Sequence, residues 1–187
     1  MAKLTYVMNT SLDGFVADKN GDFRWSEPDE EVFSFIEDLV RPFGTYLYGR
    51  KMYKTMAVWE TMQPNDVQPY MQNFANIWKA ADKIVFSKTL HTVATARTHL
   101  TSDFDPKAIE RLKNESDKDI LIGGPNIAGE AIRAGLVDEY IQLIRPIIIG
   151  EGNFWLPHDV RLKLKLIDEK RFESGVVYLR YGAADRA

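Results

Sequence analysis

Short apolar runs alternate with amphipathic stretches along most of this chain, and several of the runs end on a glycine or a hydroxyl. This alternation constrains the fold more than any other feature, because neighbouring parallel strands need a crossover long enough to hold a helix. Leu4-Thr5-Tyr6-Val7-Met8 reads as a buried strand bounded by the turn-rich stretch Ser11 to Gly14, with a second turn signal at 18–22. Ser26-Glu27-Pro28-Asp29 carries a capping hydroxyl, an early proline and acids, the signature of a helix start. Behind it Val32, Phe33, Phe35, Ile36, Leu39 and Val40 fall at helical spacing until Pro42 and Gly44. Strands are then expected at 45–48, 83–87 and 120–122, and helices at 67–80, from Asp105-Pro106 onward, and at 127–134.

From Tyr140 the pattern changes. Runs at 140–145, 146–149, 162–167 and 176–181 all read as strands, and the last two alternate. Glu173-Ser174-Gly175 lies between that final pair and suggests an antiparallel hairpin. The expected fold is α/β: a mixed, mainly parallel sheet flanked by helices, with an antiparallel C-terminal hairpin. One domain covers 1–182, and 183–187 is expected to fray.

Composition narrows the chemistry. The 187 residues include no cysteine, which excludes a disulfide scaffold, a thiolate metal site and a cysteine nucleophile. His91, His99 and His158 are scattered without ligand spacing, so no metal is expected. Lysine and arginine number 24 against 27 acids, so no global field would attract nucleic acid or an anionic membrane. No apolar run approaches the ~20 residues of a membrane span, and no leader pattern opens the chain. A cytoplasmic location follows as an expectation.

Three strand ends could receive an anion. Tyr48-Gly49-Arg50-Lys51 delivers a glycine and two cations to a possible helix start. Phe86-Ser87-Lys88-Thr89 ends a strand in two hydroxyls around a cation, suited to a phosphomonoester. Ile122-Gly123-Gly124-Pro125-Asn126 places paired glycines before a helix, where backbone amides could meet a pyrophosphate. Each has a plain alternative, a surface turn. Together they fit a dinucleotide better than three coincidences. Among the acids at 27–31, Glu30 or Asp29 could point into a cleft beside Trp25, or all could simply complement a helix N-terminus.

In this order the segments resemble the dihydrofolate reductase superfamily, and particularly the C-terminal reductase domain of bifunctional riboflavin-biosynthesis deaminase/reductases. The resemblance rests on Ser11-Leu12-Asp13-Gly14-Phe15-Val16-Ala17, Tyr48-Gly49-Arg50-Lys51, the stretches 84–90 and 120–125, Gly135-Leu136-Val137-Asp138-Glu139-Tyr140, and the run 146–152. It implies an NADPH-dependent reductase, most similar to 5-amino-6-(5-phosphoribosylamino)uracil reductase, acting on a small heterocyclic or sugar-derived molecule. It places Gly49, Arg50 and Lys51 near the cofactor phosphates and Ser87, Lys88 and Thr89 around the 2′-phosphate. Gly123, Gly124, Pro125, Asn126 and Ile127 would meet the pyrophosphate, and Val16 and Ala17 would border the nicotinamide. Counting from Trp25 and Pro28 makes Glu30 the equivalent of the family's helix acid, with Asp29 and Glu31 one residue away. Asp13 is the second catalytic candidate, and Trp25 and Phe33 are expected on the substrate side.

Three departures accompany the resemblance. Met52 stands where folate-reducing members carry threonine, Pro125 where a third glycine is usual, and Phe15 where the riboflavin-type pattern has lysine. A non-catalytic nucleotide- or flavin-binding module and a dihydrofolate reductase proper remain as alternatives. Related reductase domains pair, so a homodimer is expected.

Overall fold

The computed structural model describes residues 1–63 and 68–184. The chain runs β1 (Leu4–Ser11), β2 (Phe15–Asp18), a 3-10 turn (Arg24–Ser26), α1 (Glu30–Val40), β3 (Phe43–Gly49), α2 (Arg50–Met56) and α3 (Val58–Thr61). It continues through α4 (Pro69–Ala80), β4 (Asp82–Phe86), β5 (Thr98–Thr101), α5 (Pro106–Glu115), β6 (Asp119–Gly123) and α6 (Pro125–Arg133). The last elements are β7 (Glu139–Arg145), β8 (Gly152–Phe154), β9 (Leu164–Arg171) and β10 (Val177–Ala183).

The main sheet has eight strands in the order β5-β4-β3-β6-β1-β7-β10-β9, and β2 pairs with β8 in a separate ribbon. β1 is central and parallel to both β6 and β7, while β10 returns antiparallel to β7 and to β9. Alternation along the strands sorts the core into two layers. Tyr6, Leu47 and Ile122 share a register row and pack with Ile109 of α5 and with Ile127 and Ile132 of α6. Tyr46, Tyr48, Val85 and Leu121 face the other way, against Phe33, Phe74 and Trp78 of α1 and α4. The expected fold class is therefore present, including the C-terminal antiparallel pair.

Several boundaries differ from the sequence reading, each for a physical reason. Helix α1 is capped by Asp29, whose carboxylate accepts from the Val32 amide at 2.9 Å, and not by Ser26. The Ser26 hydroxyl instead donates to the Phe23 carbonyl within the 3-10 turn. The apolar run 146–149 is no strand. Pro146 has no amide to donate, Ile148 is 70% exposed, and the Ile149 and Gly150 amides are bound by Asp13. α4 begins at Pro69, and the expected start at Val67 lies outside the described residues. β9 starts later than expected and does not alternate in burial, since all eight of its residues are exposed. Ala183 and Ala184 do not fray, because their amides donate to Asp138 and Lys163; residues 185–187 lie outside the description.

Candidate active site

The carboxyl ends of β1, β3, β4, β6 and β7 lie along one side of the sheet, where open α/β sheets bind ligands. Two of the three expected junctions are joined directly. Arg50, first residue of α2, donates from Nη1 to Thr89 Oγ1 at 2.6 Å. Ser87 Oγ accepts from the Thr89 and Leu90 amides at 3.2 and 3.0 Å, which folds Ser87-Lys88-Thr89 into a tight turn. Lys88 projects into solvent and pairs with Asp103 at 3.0 Å, both side chains being mostly exposed. Such a pair is easily exchanged for a phosphate.

The glycine junction closes onto the same place. Gly124 caps α6 at φ +96°, a conformation that L side chains rarely adopt, and a Cβ there would meet Met52 Cβ at 3.3 Å. A Cβ on Gly49 would lie 4.0 Å from Cβ of Ile127, so the starts of α2 and α6 lie close together. No side chain caps α6, and Pro125 has no amide, so the Asn126 and Ile127 amides are the first donors free to point outward. Met52 thus has a packing role here, filling the space above both glycines. Gly49, Arg50, Ser87, Lys88, Thr89, Gly123, Gly124, Pro125, Asn126 and Ile127 are brought to one region, with Lys51 exposed beside Arg50 on the first turn of α2.

Val16 and Ala17 sit in β2, which β8 holds as a ribbon. Gly152 is required in that ribbon, because a Cβ would lie 2.0 Å from the Ala17 carbonyl oxygen. Val16 packs on the core beside α6, and Ala17 is buried.

The acidic candidates separate cleanly. Asp13 accepts from the Gly150 amide at 2.7 Å and from Ile149 at 3.2 Å, and it also interacts with Ser11. The Ser11 hydroxyl is the main influence holding its carboxyl below the usual range; burial opposes it, and the Gly150 and Ile149 amides add to the lowering. Asp13 is a staple between two loops. Glu31 turns to the β9–β10 hairpin, accepting from the Glu173 amide and pairing with Lys170 at 3.6 Å. Asp29 is lowered by the Val32 amide and then by Ser174, so it is ionised at neutral pH and poor as a proton donor. Glu30, on the first turn of α1, is exposed.

Trp25 is half-buried and donates from Nε1 to the Asp22 carbonyl, which anchors the loop preceding α1. Asp22 in that loop binds Arg24 through both carboxylate oxygens, and this hydrogen bonding lowers its pKa to about 2. Phe33 is buried in the aromatic cluster between α1 and α4. Its ring is enclosed by Trp59, Tyr70 and Phe74 at centroid distances of 5.9, 5.2 and 5.5 Å. Helical spacing alone could have said so, since Phe33 shares the buried stripe with Val40.

One residue escaped the sequence reading. Arg145, the last residue of β7, is 4% exposed, and its Nη2 donates to Asn9 Oδ1 at 2.9 Å. Written before Pro146 in an apolar run, it looks like a strand-ending surface cation. A concavity of about 370 Å³ between α6 and β8 shares Pro125 and Asn126 with the glycine junction and contains no residue of α1. Among the described residues no cluster of potential ligands could hold a metal, and no helix is long and apolar enough to cross a membrane.

The model of the RibD C-terminal domain matches residues 2–178. The chain belongs to the RibD C-terminal domain family. Within reach of this family, it is similar to the uncharacterized protein YyaP of Bacillus subtilis, 31% identical over 176 residues, covering 91% of this chain and 89% of YyaP. Among solved structures it resembles the diaminohydroxyphosphoribosylaminopyrimidine deaminase/5-amino-6-(5-phosphoribosylamino)uracil reductase of Thermotoga maritima. That likeness has a TM-score of 0.68 at 16% identity, covering 98% of this chain and 57% of the other. It also resembles the dihydrofolate reductase of Enterococcus faecalis, with a TM-score of 0.65 at 12% identity, covering 98% and 97%. At such identities the two structures share the fold with this RibD-type domain.

Proposed function

We propose that this protein is an NADPH-dependent reductase that delivers a hydride to a small heterocyclic or sugar-derived substrate. The supporting observation is the convergence of the three anion-ready junctions, tied by the Arg50–Thr89 hydrogen bond and by the close approach of Gly49 to Ile127. Arg50, Lys51 and Lys88 would balance phosphate charge, and the Asn126 and Ile127 amides would meet the pyrophosphate. The bound nicotinamide supplies a hydride to an electron-poor carbon. The chain's task is to orient the acceptor and to provide the proton that its neighbouring nitrogen or oxygen takes up. Glu30 is assigned that role, because Asp13, Asp29 and Glu31 are engaged elsewhere. Among the family's substrates, the riboflavin-pathway pyrimidine is the best-supported model, and Phe15 in place of lysine sets this chain apart from it.

The reading is tested by following NADPH oxidation spectroscopically against a panel of pyrimidines, pteridines and sugar lactones. Turnover of at least one acceptor is expected. Saturable NADPH binding with no oxidation of any acceptor would favour the non-catalytic module. Lys88→Ala should weaken NADPH about tenfold and leave NADH within about twofold, as expected for one charge-assisted contact to a phosphate. Equal weakening of both cofactors would show that the 2′-phosphate is not read there.

We also propose that the homodimer pairs along β9. This edge strand carries Leu164, Leu166 and Ile167 at 37, 44 and 52% exposure, an unusual content for an unpaired edge. Its order Lys165-Leu166-Ile167-Asp168-Glu169 is self-complementary when two copies run antiparallel about a two-fold axis, because lysine then faces acid. Light scattering on a sizing column should give twice the chain mass for the wild type and one chain mass for Leu166→Glu. A monomeric wild type at micromolar concentration would exclude this pairing.

A further inference from the structure

Arg145 poses a problem of charge. A guanidinium that is 4% exposed normally faces a carboxylate, because an uncompensated buried charge is expensive. Among the described residues its hydrogen bond is to the neutral Asn9 amide, and its buried Nε has no partner. Asp29 attracts it from the N-cap of α1 but forms no ion pair with it among the described residues. Burial correspondingly makes its proton easier to lose than an ordinary arginine's.

The location is informative. Arg145 stands opposite Ser11 in the β1–β7 register, at the carboxyl ends of the two strands and beside the start of α1. Nε and Nη2 form one edge of the guanidinium, whose parallel N–H groups match an oxyanion through two hydrogen bonds. Arg24 shows this use within the same chain: its Nε and Nη2 both bind the Asp22 carboxylate, at 3.0 and 2.6 Å. In Arg145 half of that edge is taken by Asn9, a half-buried side chain, and the other half is idle.

We infer that the Nε–Nη2 edge of Arg145 is an oxyanion-binding element at the acceptor end of the site, covered by Asn9 until an acceptor carrying a carboxylate or phosphate displaces it. The inference deepens the reductase reading and rests on it for the word acceptor. The binding element itself stands on the geometry of Arg145. A neutral acceptor would leave the guanidinium uncompensated. An anionic one completes it.

The test uses the intact protein with two probes, benzoate for a planar carboxylate and inorganic phosphate for a tetrahedral anion, each titrated by calorimetry. At least one is expected to bind the wild type, and the one that binds identifies the source of the oxyanion. Arg145→Gln should weaken it at least about tenfold, as loss of charge-assisted hydrogen bonds requires. Asn9→Asp supplies the missing carboxylate from within; it should raise the melting temperature and abolish the anion binding that Arg145→Gln weakens. This second variant keeps the idea testable if Arg145→Gln fails to fold. Binding of neither anion to the wild type, undiminished binding to Arg145→Gln, or an Asn9→Asp protein that still takes up the anion would overturn the inference. NADPH titrations of the same proteins separate the two ideas. A wild type that binds NADPH but neither anion defeats this inference alone, and a wild type that binds an anion through Arg145 but not NADPH defeats the reductase reading alone.

Discussion

Glu30→Gln should lower turnover of NADPH with the best acceptor about 10²–10³-fold while leaving cofactor affinity unchanged, the signature of a lost general acid. The assignment comes by elimination among four acids. Asp13 is bound by the Gly150 and Ile149 amides, Asp29 caps α1, and Glu31 faces Lys170 on the hairpin. Asp29→Ala provides the contrast. It removes a cap and should cost about 1 kcal/mol of stability with a far smaller change in turnover. Steady-state rates and thermal melts on the two variants check both statements together. If Asp29→Ala loses turnover and Glu30→Gln does not, the acid has been placed one residue too late in the helix.

The largest stability effect is expected at the opposite end of β7. Glu139 is 4% exposed and accepts from Lys3 Nζ at 2.7 Å and from Arg180 Nη2 at 2.6 Å. It ties the start of the chain to β10 across the central strands. Glu139→Gln should destabilise the fold by about 2 kcal/mol. The value lies below the ~3–5 kcal/mol of a fully buried broken pair because Lys3 and Arg180 reach water. The melting temperature should fall by roughly 4–8 °C. The pH dependence has a definite sign. Burial works to raise the Glu139 pKa, but hydrogen bonds from Lys3 and Arg180 outweigh it, and the folded value lies below the usual 4.5. Its contribution is therefore present above about pH 4.5 and is lost as pH falls through the folded value. Glu139→Gln should remove that part of the acid-induced loss of stability, which chemical denaturation at pH 3–7 would resolve.

What could be read in the sequence was set by short-range chemistry. β1, β3, β4 and β6 announce themselves as apolar runs ending on turn residues, and the junctions Gly49-Arg50, Ser87-Lys88 and Gly123-Gly124 follow from those endings. What stayed hidden depends on partners far away in the chain. Phe15–Asp18 is too short to signal a strand, and it becomes one because Gly152–Phe154, more than 130 residues later, pairs with it. The run 146–149 has strand composition, yet Pro146 has no amide, the Ile147 amide turns back to the Arg145 carbonyl and Asp13 takes that of Ile149. Asp13 and Phe33 stand out by position alone, and their surroundings, the amides at 149–150 and the aromatic cluster of α4, are assembled by folding. Arg145 is the clearest case. Its burial, and hence its need for an anion, is invisible beside Pro146 in the sequence.

The decisive measurement is a titration of the protein with NADPH, followed through quenching of tryptophan fluorescence and repeated with NADH and FMN. Four tryptophans, Trp25, Trp59, Trp78 and Trp155, supply the signal. Saturable quenching by NADPH, tighter than by NADH and not reproduced by FMN, is the predicted result. A flat NADPH titration, or saturation by FMN alone, would contradict the assignment of this fold to a hydride-transferring reductase.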